Sequence, residues 1–218
     1  MSKAPTLAHP YSEREERWHI ATHLVGLVGA AAAIPWLLIV GARESGGWRL
    51  GGAVVFSAAA LLMFAASILY HRSRGAEARQ RWRTLDHAAI FLLIAGTYTP
   101  FAAGAIGGRW GFGLLIVIWL IAVFGIIAKV ILGFRYPRLS TLLYLAMGWA
   151  GIVAIKPMTE AVSAPVMAWI AAGGLLYTLG VPFYVWKKRA YTHAVWHFFV
   201  LGGVACHFVA VMLLLRSA

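Results

Sequence analysis

HAVWHFFVLGGVACHFVAVMLLL, residues 193–215, holds no Lys, Arg, Asp or Glu. At about 1.5 Å of rise per residue, a helix of that length covers the roughly 30 Å hydrocarbon core of a bilayer. Only a helix satisfies its own backbone over such a stretch in lipid, so the segment predicts a transmembrane helix. Six further apolar runs precede it, at about 18–41, 50–71, 87–107, 111–133, 139–156 and 165–186, of which only the fourth and fifth hold a charged residue, Lys129 and Lys156. The predicted fold is an all-α, polytopic membrane protein, a bundle of seven transmembrane helices whose termini lie on opposite sides.

Composition excludes the main alternatives. The 218 residues are 61% hydrophobic and 12% charged, against roughly 25% charged in soluble domains. That removes soluble enzymes and disordered chains. The single cysteine, Cys206, forms no internal disulfide and supplies no thiolate cluster, so a metal site must rest on nitrogen and oxygen ligands.

The formal charge of +12 raises nucleic-acid binding, but the basic residues sit almost entirely between apolar runs, where they orient a membrane protein and touch anionic headgroups. No nucleic-acid partner is expected. Lys3, Arg14, Arg17, the arginines at 72, 74, 79, 81 and 83, Lys129, Arg135, Arg138, Lys187, Lys188 and Arg189 share one side. Arg43, Arg49, Arg109, Lys156 and Arg216 share the other. The positive-inside rule therefore predicts a cytoplasmic N-terminus.

Residues 1–17 read as a polar cytoplasmic tail without the features of a signal peptide, and 18–218 as one compact domain. The glycines at 26, 29, 148, 151, 173, 174, 202 and 203 are expected to let helices approach closely. Tyr70, Tyr98 and Tyr191 are expected at the membrane interfaces.

Ionisable groups at membrane depth are costly, and each is a functional hypothesis. His71 ends the second run, Asp86 and His87 open the third, and His193 and His197 open the seventh, all at one level near the inner face. His193 and His197 lie one helical turn apart on nearly the same face and can share an ion. His71 adds a third nitrogen, and three protein ligands with a fourth position for water are the pattern of a catalytic zinc site.

Asp86 is the chain's only aspartate and is predicted to hold or deprotonate the metal's water. Ser67, one turn before His71, is placed to orient that imidazole or bond the water. His19, His23 and His87 lie at the right depth, but nothing in their spacing selects a role. His9 reads as solvated in the tail. His207, about 15 Å beyond His197, is predicted to bond between helices.

These motifs, EERWHIATHLVG at 15–26, SILYH at 67–71, LDHAAIFLLIAGTYTP at 85–100 and HAVWHFFVLGGVACHF at 193–208, resemble the bacterial hemolysin III family. That family is similar in turn to the adiponectin and progestin receptors and, more distantly, to alkaline ceramidases. The resemblance implies zinc on His71, His193 and His197, a water held by Asp86, and a role in membrane lipid homeostasis in the bacterial inner membrane. Only about 17 residues precede the first run, where receptors carry a long region, so a bacterial-type member is the better match.

Three functions compete. The first is a zinc-dependent hydrolase of a membrane lipid amide or ester, with the lipid as substrate. The second is a receptor-like or regulatory protein in which zinc is structural. The third is a pore-forming, hemolytic protein, against which stands the scarcity of ionisable residues in the outer half of the bundle.

Overall fold

The computed structural model describes residues 11–45 and 47–217. Its α-helices are α1 (Glu13–Val40), α2 (Gly47–Arg72), α3 (Ala76–Phe101), α4 (Gly108–Leu132), α5 (Pro137–Trp149), α6 (Ile155–Ala161), α7 (Ala164–Val185) and α8 (Thr192–Arg216). Seven segments among the described residues are long and apolar enough to span a membrane, with α5 and α6 together forming the fifth. The seven-span helical fold predicted from the sequence is therefore the fold of this chain.

α1 begins at Glu13, earlier than the polarity of the tail suggests. Ser12 Oγ accepts the Glu15 N–H at 3.3 Å, and the Glu15 carboxylate accepts the Ser12 N–H at 3.0 Å. This reciprocal pair is a capping box, and it extends the helix one turn into the charged stretch. Glu16 thereby becomes a helical residue facing the bundle, only 6% exposed.

The fifth span was expected to be continuous over 139–156; it instead runs from 137 to 161 with a 3-10 turn at Ala150–Ala154. Tyr98 on α3 explains the break. Its hydroxyl donates to the Gly148 carbonyl and accepts the Gly151 N–H, both at 2.8 Å, offering two backbone groups a partner outside the helical ladder. Tyr98 is thus buried in a helix contact and is no interfacial anchor.

α2, α3 and α8 are the most enclosed spans, with α2 lying along α3, α7 along α8, and α1 against both α2 and α8. One apolar cluster, including Leu37, Phe56, Phe64, Val211 and Leu214, joins α1, α2 and α8. A second, including Phe91, Ile118, Ala122 and Met147, joins α3, α4 and α5.

Close approach relies on absent side chains: a Cβ on Gly26 would lie 2.4 Å from the Phe64 ring, and one on Gly203 would lie 2.4 Å from Tyr177. Gly29 and Gly148, expected to act in the same way, have nothing within 4 Å. Packing places the N-terminal ends of α1, α3 and α8 and the C-terminal end of α2 at one end of the bundle, where the polar residues gather.

Candidate metal centre

His71, His193 and His197 each offer a ligand atom, and these atoms all lie within 4.8 Å of one another. The two α8 rings meet edge-on, with 3.2 Å between their Nε2 atoms. His71 reaches them from the last turn of α2, so the α2–α8 contact decides whether three nitrogens converge. His71 and His197 are 3% and 2% exposed.

Hydrogen bonds behind the rings fix which nitrogen faces inward. Nδ1 of His71 lies 2.6 Å from Glu16 Oε2. An ionised carboxylate only accepts, so the proton is on Nδ1 and Nε2 carries a lone pair. That Nε2 is buried and has no protein partner.

Nδ1 of His197 lies 3.3 Å from the His19 carbonyl and 3.2 Å from Thr22 Oγ. The Thr22 hydroxyl sits 2.9 Å from the Trp18 carbonyl, to which it donates, so it accepts from His197. This ring too keeps its proton outside and its lone pair inside. Inward lone pairs, each held by an outer hydrogen bond, are the pattern of imidazoles prepared for a cation. The donor set of three nitrogens without thiolate fits zinc or a neighbouring first-row ion.

Further groups complete the site. Glu16 also accepts from Arg79 and lies 3.3 Å from His19 Nδ1; Glu16, His19 and His71 form a second close group of potential ligands. The His19 ring centroid is 4.9 Å from that of His193 and 5.2 Å from that of His197. His23 stacks on His197 at 3.8 Å, and Tyr11 stacks on His193 at 5.1 Å. Burial pushes the Tyr11 phenol above its ordinary pKa, keeping it a neutral hydroxyl.

Glu16, Thr22 and Tyr11 are what the sequence reading missed. Glu16 stands three residues before His19, a helical spacing, but within a stretch read as tail. His9 lies outside the described residues.

Asp86 and Ser67 do not join the tripod. Both line a cavity of about 250 Å³ that starts at His193 and His197 and continues between α3, α5, α7 and α8 to Ile155 and Met158. The partner of the His71 imidazole is Glu16; Ser67 Oγ is buried with no hydrogen bond to it or to the helix backbone. His87 lines the same cavity and lies edge-on to Phe134 at 4.8 Å, outside the tripod. His207 Nε2 is 3.3 Å from the Ile170 carbonyl, the bond between helices expected of it.

Seven spans around a buried histidine tripod, opening on a long apolar cavity, define a membrane protein with a built candidate metal centre at one end. A family model described as Haemolysin-III related matches residues 11–208, and the chain belongs to that family. It is 38% identical to the Hemolysin-3 homolog of Bacillus subtilis (strain 168), over 93% of this chain and 95% of the relative. It is likewise 38% identical to Hemolysin-3 of Bacillus cereus, over 91% of each. The human Monocyte to macrophage differentiation factor is 26% identical over 75% of this chain and 70% of its own length.

Proposed function

We propose that the protein is a zinc-dependent hydrolase of membrane lipid amides or esters, with His71, His193 and His197 as zinc ligands. In this reading it resides in the bacterial inner membrane with its N-terminus in the cytoplasm, as the distribution of basic residues favours. The observation that supports the proposal is that two of the tripod's rings, His193 and His197, line the same largely apolar cavity as Asp86 and Ser67. A cation bound there supplies Lewis acidity and a water acidified to a pKa of about 7.

The chain's own groups perform the rest. Glu16 and Thr22 hold His71 and His197 in their working tautomers. Asp86 accepts the proton of the attacking water and returns it to the departing amine or alcohol. Ser67 orients the water or the carbonyl by hydrogen bonding. The apolar walls take the acyl chain and keep bulk water out.

Metal content and lipid turnover of purified protein test this together. Asp86→Asn is expected to retain the metal and lose turnover by at least about 100-fold, the scale of a general base; His193→Ala is expected to lose both. Equal turnover by Asp86→Asn and wild type would remove Asp86 from the chemistry.

One observation favours a second, structural reading: the tripod joins α2 to α8, so an ion there cross-links the bundle. Stripping the metal would then lower thermal stability while no lipid is turned over by the loaded protein.

A further inference from the structure

A second cavity, of about 230 Å³, meets the tripod at His193. His193 and Tyr184 line both this cavity and the apolar one, so one molecule can occupy the two with its middle at His193. The chemistry of the two halves differs. The second cavity is lined by Lys187, Lys188 and Arg189 from the loop between α7 and α8, with Tyr11 from just before α1.

This loop is held in shape. The Thr192 hydroxyl ties the carbonyls of Trp186 and Arg189, at 2.7 and 3.0 Å. The Tyr191 N–H donates to Glu15 Oε1 at 3.0 Å, pinning the loop to α1, and Tyr191 takes the left-handed conformation at φ 63°. Glu15 is the single carboxylate lining the cavity, and it is engaged with Tyr191 and Ser12. The three cations therefore face a space with little compensating charge. Lys187, Lys188 and Arg189 are exposed loop residues; partial desolvation of Lys187 and the nearby Arg83 both lower its pKa, a shift that a bound anion would oppose.

We infer that this cavity receives the phosphate of an anionic lipid, which makes the substrate class phosphate-bearing lipid esters or amides. The inference rests on the hydrolase reading only for the word substrate; the binding site stands on the geometry. In such a lipid only a few bonds separate the phosphate from the first acyl carbonyl. A phosphate at Lys187, Lys188 and Arg189 thus leaves that carbonyl beside His193 and directs the chain into the apolar cavity. A neutral lipid would fill the apolar half and leave the cations unmatched.

The test reads binding without turnover. Full-length protein in uncharged detergent, treated with EDTA and dialysed, is mixed with dioctanoyl phosphatidic acid, with dioctanoylglycerol, or with inorganic phosphate, and bound ligand is counted by native mass spectrometry. The two lipids share their esters and chains and differ only in the phosphate. Phosphatidic acid is expected to bind about tenfold or more tightly than dioctanoylglycerol, the scale of one or two charge-assisted hydrogen bonds. Replacing Lys187, Lys188 and Arg189 together by Ala removes the preference. Replacing Arg72, Arg74 and Arg138, exposed cations outside the cavity lining, retains it.

Equal binding of the two lipids by wild type overturns the inference, as does equal loss in both triple variants, which would mean unspecific surface charge. Displacement of phosphatidic acid by an equal concentration of inorganic phosphate overturns the lipid assignment in favour of free phosphate. Lys188→Glu, read in the same way, serves if the triple variant does not fold. Failure of lipid hydrolysis elsewhere leaves these binding results intact, so the two readings fail separately.

Discussion

Glu16 on α1 grips His71 on α2 with a 2.6 Å hydrogen bond to Nδ1, while its other oxygen takes Arg79 from α3. Three helices meet at one carboxylate, which sets the direction of the His71 lone pair. Carboxylate partners of this kind typically alter metal affinity by about 10- to 100-fold. Glu16→Gln is expected to weaken zinc binding on that scale, measured by chelator competition, with helix content by circular dichroism unchanged. Unaltered affinity would show that the tripod needs no such support.

Thr22 plays the corresponding part for His197, accepting from Nδ1 at 3.2 Å. Thr22→Val keeps the shape and removes the acceptor, though the His19 carbonyl remains at 3.3 Å. The loss in metal affinity should therefore be smaller than for Glu16→Gln. The visible spectrum of the cobalt-substituted variant should shift while its metal stoichiometry stays the same.

Zinc should also stabilise the fold, because the unfolded chain offers no assembled tripod. At a free concentration about 100 times Kd the expected gain is about 2.7 kcal/mol, seen as a rise in Tm that His71→Ala abolishes. A Tm insensitive to zinc in the wild type would count against a metal on these residues.

Adjacent glycines on α2 give a packing test. A Cβ on Gly52 would lie 2.3 Å from the Pro100 Cα, whereas one on Gly51 meets nothing within 4 Å. Gly52→Ala should force α2 from α3 and cost about 1–3 kcal/mol. Gly51→Ala should be tolerated in the same thermal unfolding measurement.

Tyr98→Phe removes the hydroxyl that serves Gly148 and Gly151. Leaving those backbone groups without their partner should cost about 1–3 kcal/mol. Hydrogen exchange at residues 148–154 should speed up more than elsewhere in α5.

Where physical signals were local, the sequence was sufficient. Long apolar runs located all seven spans, because length and polarity alone decide whether a helix can cross lipid. The four-residue spacing of His193 and His197 placed them on one face, and equal depth brought His71 to them. Partners supplied by another helix were not legible. Glu16 reads as a tail residue until the Ser12–Glu15 cap carries α1 past it. The stacking of His23 on His197 and of Tyr11 on His193 depends on how α1 lies against α8. The 3-10 turn at Ala150–Ala154 depends on a hydroxyl some 50 residues away, in keeping with the Tyr98–Gly148 separation.

The early start of α1 bears on how the protein is handled at the bench. Ser12 supplies the cap, and Tyr11 covers His193, so an affinity handle spliced in at Glu13 would unravel the first turn and uncover the tripod together. Purification handles belong at the other terminus, and a proteolytic trim that reaches Tyr11 should be scored as damage to the candidate metal centre.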